Sequence, residues 1–220
     1  TPMPDASASH IERRAKLALD SGTLEGKLTV TYTGLEASYR RLEERNEDDA
    51  ERRQFLENEI AGVVPTGIDV KLTNSPDWGS TEDALVAEYQ LRVPGWASGA
   101  GRRQLLPVGL FGNGERHTFE HSQRVHPICF DFPSVHLDDV TIDMPAGWQV
   151  ERAPDPHLLD MKGMVYRAAA QNVHQSLHLT RELTTNLYLT GVASYPALQK
   201  FYQTVRAGDE EQTIITALSH

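Results

Sequence analysis

The chain has 220 residues, of which 39% are hydrophobic and 24% charged, a composition typical of a folded globular protein. Its 31 acidic and 21 basic side chains give a formal net charge of -10, which argues against nucleic acid and anionic membrane surfaces as partners. The sequence contains no run of the roughly 20 apolar residues that a membrane span requires, so we expect no membrane insertion.

The first segment of the chain is typical of a linker. It begins at Thr1, and residues 1–10 are mostly small and include Pro and Ser, as in segments that join domains. We expect an excised or processed fragment with a linker over residues 1–10 and a single C-terminal accessory β-rich domain over residues 11–220.

Alternating apolar and polar residues predict a succession of strands. The first two are joined by Ser21-Gly22, a pair that favours a tight β-hairpin. The predicted strands cover residues 14–20, 23–33, 68–72, 85–93, 101–110, 126–133, 135–144, 165–170 and 173–189. Parallel sheets need a crossover helix between most strands, so this order predicts an antiparallel arrangement.

Two segments predict helices. Residues 35–61 have apolar residues at 3.6-residue spacing around a charged middle over residues 45–53, which predicts one long, partly solvated helix. After Pro196, an apolar stripe predicts an amphipathic helix that ends the chain, with Leu198, Phe201, Tyr202 and Val205 on one face. The expected fold is mainly β (α+β), with antiparallel β-sandwich-like sheets, one long charged helix and one C-terminal amphipathic helix.

Histidines between residues 117 and 126 are the best candidate for a metal site. His117 and His121 are four residues apart, with Glu120 between them and His126 beyond, and imidazoles at that spacing can share an ion on a helix. The flanking Asn113-Gly114 and the strand-like residues that follow do not favour a helix. We therefore interpret these histidines as surface or structural residues and expect no metal and no cofactor.

Two other sets of side chains are candidates for chemistry. His136 and Asp138 share one face of a predicted strand and Asp139 the opposite face, so no acid–base pair converges there. Cys129 lies among apolar residues, which predicts a buried core cysteine and not a reactive thiolate. The chain contains no P-loop, dinucleotide fingerprint, HExxH or GxSxG motif, and we predict no catalytic residue.

Three tryptophans beside loops are the candidates for ligand binding. Trp78, Trp96 and Trp148 each follow a turn-forming segment, where exposed rings can stack on a sugar. Tryptophans in such places also anchor loops to a core through their apolar area. A carbohydrate or peptidoglycan-binding module therefore predicts at least two of these rings in one exposed groove.

Four stretches resemble the region that follows the catalytic core in bacterial transglutaminase-like proteins, an exported, multi-domain group that also carries an N-terminal β domain of unknown function. They are SGTLEGKLTVTYTGLEASYRRLEERNEDD at 21–49, PGWASGAGRRQLLPVGLF at 94–111, FEHSQRVHPICFDFPSVHLDDVTIDMPAGWQVE at 119–151 and YPALQKFYQTVRAGDEEQTI at 195–214. The resemblance implies a periplasmic or secreted parent with a catalytic Cys, His and Asp in an upstream core.

This chain has no stretch that matches that core, so no catalytic residue is carried over, and Cys129 is not the nucleophile by this comparison. We expect a non-catalytic accessory or protein-interaction domain. Its partners would be the upstream transglutaminase-like core of the same chain and a protein or glycan ligand. The alternatives are the carbohydrate-binding module and a metal-dependent hydrolase, which would need His117, His121 and a carboxylate around one ion.

Overall fold

The computed structural model describes residues 4–64, 67–112 and 119–218. These residues form fourteen strands and three α-helices, and the prediction of a mainly β, sandwich-like fold is confirmed. The strands are β1 His10–Asp20, β2 Thr23–Tyr32, β3 Asp69–Leu72, β4 Leu85–Val93, β5 Ser98–Ala100, β6 Arg103–Pro107, β7 Ile128–Cys129, β8 Ser134–Asp143, β9 Trp148–Arg152, β10 His157–Met161, β11 Met164–Val173, β12 Ser176–Thr185, β13 Leu189–Thr190 and β14 Gln212–Ala217. The helices are α1 Leu35–Glu43, α2 Asp49–Val63 and α3 Tyr195–Asp209.

Eight strands form the large sheet, in the order β10-β11-β12-β8-β1-β2-β4-β3. All its neighbouring pairs are antiparallel except β1 and β8, which run parallel. The long connection between these two strands provides the crossover that a parallel pair requires. A four-stranded sheet, β5-β6-β14-β9, and the short pair β13-β7 complete the β structure of the described residues.

The first hairpin forms as predicted. Ser21 and Gly22 both have positive φ, 48° and 80°, so the two-residue turn matches the twist of its flanking strands. β1 begins at His10, four residues earlier than predicted. The preceding residues 4–9 include a short 3-10 helix over Ala6–Ala8, and both Ala6 and Ser9 are buried. This part of the predicted linker therefore packs against the domain.

The prediction of one helix over residues 35–61 is wrong, because the segment forms two helices. α2 starts at a capping box, in which the Asp48 carboxylate accepts hydrogen bonds from the Ala50 and Glu51 amides. The Glu51 side chain accepts the Asp48 amide in return. These bonds satisfy amides that the first turn leaves without partners, and they fix a new helix start.

The C-terminal helix is confirmed as α3, but the prediction that the chain ends on it is wrong. β14 follows α3 and pairs with β6 and β9. Strands β9 and β10 were not predicted, and the strand predicted over 126–133 is reduced to β7. None of the helices in the described ranges has the length and apolar character that a membrane span needs.

One face of the large sheet is buried, and it carries both hydrophobic clusters. Over β1, β2 and β4 this face packs against α2, through Leu56 and Ile60, and against the small sheet, through Leu106 and Ile215. Over β11 and β12 it packs against the apolar stripe of α3. The molecule is thus two-layered, and charged side chains on the inner face of the large sheet lie between the layers, where burial without a partner is costly.

Candidate functional site

The three tryptophans contribute to the core. Trp96 is 5% exposed and belongs to the large hydrophobic cluster, and Trp78 and Trp148 are half-buried and pack against the same cluster. The Arg52 guanidinium lies 5.5 Å from the centre of the Trp78 ring, a cation–π contact. These positions agree with a loop-anchoring role, while glycan binding by these residues stays a prediction.

The proposed metal ligands do not form a described cluster. His117 lies outside the described residues, and His121 and His126 are exposed. The His121 carbonyl accepts hydrogen bonds from Tyr195 at 2.5 Å and Gln199 at 3.0 Å, which ties this segment to α3. Within the described ranges, no three His, Cys, Asp or Glu side chains are placed to hold one ion.

The prediction of a buried cysteine is wrong, because Cys129 is exposed. It lies on the two-residue strand β7, where Ile128 is 2% exposed and belongs to the α3 cluster. Alternation along the strand turns the next side chain outward, so Cys129 faces solvent. Apolar residues flank Cys129 in the sequence, but they do not bury its side chain.

The predicted faces of β8 are confirmed, and the inner face carries a set of ion pairs that the sequence did not indicate. Asp139 is exposed and pairs with His178 at 2.8 Å. His136 and Asp138 lie on the inner face, where Asp138 meets two arginines from neighbouring strands. We call Arg13, Asp138, Arg181 and Asp209 the charged row.

The charged row crosses three strands at one register. Asp138 on β8 is paired with Arg13 on β1 and with Arg181 on β12. Its carboxylate oxygens lie 3.4 Å from Arg13 Nε and 3.6 Å from Arg181 Nη1, and all three side chains are at most 6% exposed. The register of the parallel pair therefore decides which charges are neutralised in the core.

Asp209, the last residue of α3, completes the charged row. Its carboxylate accepts two hydrogen bonds from Arg181, at 2.8 and 2.9 Å, and one from the Tyr166 hydroxyl at 3.0 Å. Burial and the negative charge of Asp209 raise the pKa of Tyr166, which keeps that hydroxyl a neutral donor. Gly112 packs so closely on the Asp209 carboxylate that a side chain there would collide with it.

A narrow pocket lies beside the charged row. Ala168 on β11 lies between Arg181 on β12 and His157 on β10 in the strand register. Its small side chain lines a cavity of about 20 Å³, which has room for one water molecule. At the rim, His157 Nε2 lies 2.9 Å from Glu211. The described residues that line the pocket include one arginine, Arg181, and four carboxylates, those of Asp138, Asp155, Asp209 and Glu211. The hydrogen bonds from Arg181 to Asp209 join strand β12 to helix α3.

A second, more open site lies between α1 and β8, and we call it the α1 groove. It has a volume of about 370 Å³. Its lining residues combine aromatic rings with charged and polar groups: Ile11, Glu36, Tyr39, Arg40, Phe130, Asp131, Phe132, Ser134, His136 and Thr185. The site was not predicted from the sequence because α1 is far along the chain from β8 and from residues 130–133, which precede β8.

Ion pairs hold the base of the α1 groove. Arg40 donates to Glu36 at 2.8 Å and to both oxygens of Glu59 at 2.8 and 2.9 Å, and its guanidinium stacks 3.9 Å from the centre of the Tyr32 ring. Burial opposes the charge of Glu36, but hydrogen bonds from His136 and Arg40 hold the pKa of its carboxyl below its ordinary value. Glu36 is therefore ionised at neutral pH.

The lowered pKa of Glu36 predicts acid sensitivity. A carboxyl whose pKa is lower in the folded state stabilises the fold above its unfolded pKa and loses that contribution as the pH falls through its folded pKa. We expect Glu36→Gln to reduce the free energy of unfolding by about 1–3 kcal/mol at neutral pH. The difference from the wild type should shrink below about pH 4.5, the ordinary value.

Urea unfolding at several pH values measures this effect. The exposed Glu25→Gln on β2 is the matched control, with an expected change within about 0.5 kcal/mol. A difference between wild type and Glu36→Gln that stays constant down to about pH 3 would contradict the assignment of a charged Glu36.

An apolar stripe on α1 lies beside the groove and faces solvent. Leu35, Tyr39 and Leu42 follow one another at positions i, i+4 and i+7, and they are 37%, 49% and 57% exposed. The opposite side of the helix carries the buried Glu36, Ala37 and Arg40. α1 therefore presents three large apolar side chains outward on one face, the arrangement of a helix that packs against a partner.

Comparison with known proteins places part of the chain in a family. Residues 102–215 match the family model of DUF3858, a domain of unknown function with a solved structure. This segment includes Asp138, Arg181 and Asp209, while Arg13 and α1 lie outside it. No curated protein and no solved structure matches the chain.

Proposed function

The chain belongs to DUF3858, a family of domains of unknown function, and we propose that it serves as a non-catalytic accessory domain of a larger, exported, transglutaminase-like protein. The upstream core of that protein would carry the catalytic Cys, His and Asp. This chain would stabilise or present that core in the periplasm or outside the cell. The four stretches that resemble the region after such a core support this parentage.

The apolar stripe of α1 carries the proposal. Leu35, Tyr39 and Leu42 expose apolar area that the chain does not cover within its described residues, and covering it with a partner is favourable at about 25 cal/mol per Å². The α1 groove beside the stripe adds Phe130 and Phe132 to the same surface. We call the stripe and the groove together the docking face.

The buried charges support a structural role for the interior. The charged row pairs two arginines with two carboxylates at 4–6% exposure, so these side chains join the layers and are turned away from solvent. Cys129 is exposed and lies opposite Leu189 on strand β7. The surface is therefore a better candidate for function than any internal cluster.

A binding experiment tests the proposal. The purified chain is titrated with the separately expressed upstream core of its parent, and isothermal calorimetry measures the Kd. We expect Tyr39→Ser and Leu42→Ser, combined, to weaken binding at least about tenfold, since buried aromatic and aliphatic anchors dominate most interfaces. No transglutaminase activity is expected from the chain alone.

The matched control is Leu158→Ser on β10, at the far edge of the large sheet. Leu158 is 69% exposed, so the substitution removes a similar side chain from a different surface and should leave the Kd unchanged. The proposal is wrong if the wild-type chain does not bind the core. It is equally wrong if Leu158→Ser weakens binding as much as the α1 variants do.

A further inference from the structure

The α1 groove combines three aromatic rings with carboxylates. Tyr39 from α1 and Phe130 and Phe132 from the segment before β8 line it together with Glu36 and Asp131. Glu36 is 8% exposed, and its Oε1 lies 3.6 Å from His136 Nε2. Aromatic faces attract cations through their ring quadrupole, and carboxylates attract them through charge, so both kinds of lining group favour the same class of ligand.

The local charge balance of the groove is negative. The carboxylates of Glu36 and Asp131 and the guanidinium of Arg40 line the groove, and Arg40 also pairs with the carboxylate of Glu59. Arg40 is 7% exposed and is held by Glu36, by Glu59 and by the Tyr32 ring. Its charge is therefore already matched, and the exposed Asp131 adds a further negative charge at the mouth.

The end of α1 also carries several carboxylates. Burial and the nearby charges of Glu43 and Glu51 raise the pKa of Glu44, and a hydrogen bond with Glu51 and its charge raise the pKa of Glu47. Both pKa values are raised in part because several carboxylates lie close together. Arg41 donates to the carbonyls of Asp77 and Asp83, while Arg52 donates to the Glu44 carbonyl and offsets part of this charge.

We infer that the α1 groove receives an arginine or lysine side chain of a protein partner. The aliphatic stem of that side chain would pack against Tyr39 and the apolar stripe, and its cationic head would lie between the aromatic rings and the carboxylates of Glu36 and Asp131. This inference rests on the proposed function for the identity of the partner, but the chemistry of the groove is independent of it.

A small probe tests the groove directly. The chain is titrated with Nα-acetyl-arginine methylamide, and two-dimensional NMR follows the amide signals of the groove residues. We expect saturable shifts with a Kd in the millimolar range, as suits a single side chain without the rest of its interface. Nα-acetyl-norleucine methylamide, which has an apolar side chain without charge, should produce no saturable shift.

Charge reversal at the mouth is the matched test in the protein. Asp131→Lys should weaken probe binding at least about fivefold, because it replaces an attractive charge by a repulsive one. Asp160→Lys on β10 makes the same change at another exposed aspartate and should leave the Kd unchanged. Equal binding of both probes, no saturable shift with the arginine probe, or an unchanged Kd in Asp131→Lys would each overturn the inference.

The two proposals fail in different ways. If the upstream core binds but the arginine probe does not, the docking role stands and the cation site is wrong. If the probe binds the groove but the core does not bind the chain, the groove recognises a cationic side chain and the proposed parent is wrong.

Discussion

Arg181→Met is expected to lower the free energy of unfolding by about 3–5 kcal/mol, the usual cost of removing one partner from a buried ion pair. Arg181 donates two hydrogen bonds to Asp209 and lies 3.6 Å from Asp138, and all three side chains are at most 6% exposed. The substitution fills similar volume but leaves two carboxylates without that cation in the core. Urea unfolding measures the change.

The control for this prediction is an exposed ion pair in the same sheet. Arg167 on β11 and Glu182 on β12 lie 2.8 Å apart, but their side chains are 53% and 27% exposed. Solvent screens such a pair, so Arg167→Met should cost less than about 1 kcal/mol. Similar losses in Arg167→Met and Arg181→Met would show that the charged row does not join the layers as we describe.

Strong local patterns made most of the large sheet predictable. β4 alternates without interruption from Leu85 to Val93, and the structure buries every second residue of it. The Ser21-Gly22 hairpin likewise depends only on two adjacent residues. Strands β9 and β10 were missed, because five residues are too few for alternation to be visible.

The break between α1 and α2 was present in the sequence as a local signal. Asp48 and Glu51 have the spacing of a capping box, in which an acceptor side chain is followed three residues later by Glu. The charged run over residues 45–53 was instead interpreted as the solvated middle of one long helix. In the structure Arg52 contacts Asp49, at 3.9 Å, and the Trp78 ring.

The charged row and the docking face could not be predicted from a single sequence. Arg13 meets Asp138 only because β1 and β8 pair in parallel, 125 positions apart, and register between distant strands leaves no local pattern. The α1 groove also leaves no local pattern in the sequence, since Tyr39 and Phe130 line it together although they are far apart along the chain. For Cys129 the sequence was misleading, because its apolar neighbours suggested a buried side chain, whereas the side chain is exposed.

The docking face depends on how α1 is attached, and that attachment centres on Gly34. This residue precedes α1 with φ 58° and ψ -130°, a conformation open to glycine and strained for other residues. The Ala8 carbonyl packs against it so closely that a side chain would collide with the backbone. Ser9, next in the chain, accepts the Leu35 amide at 3.0 Å and so supplies the first bond of the helix start.

Gly34→Ala is therefore expected to lower the free energy of unfolding by about 2–4 kcal/mol, through backbone strain and the collision with Ala8. Gly62→Ala in α2 is the matched control, because a side chain there meets no atom within 4 Å and alanine favours the helix by about 0.5–1 kcal/mol. Urea unfolding of both variants gives the comparison. If Gly34→Ala were as stable as Gly62→Ala, then residues 4–9 would not fix the position of α1, and the docking face would be free to move with its helix.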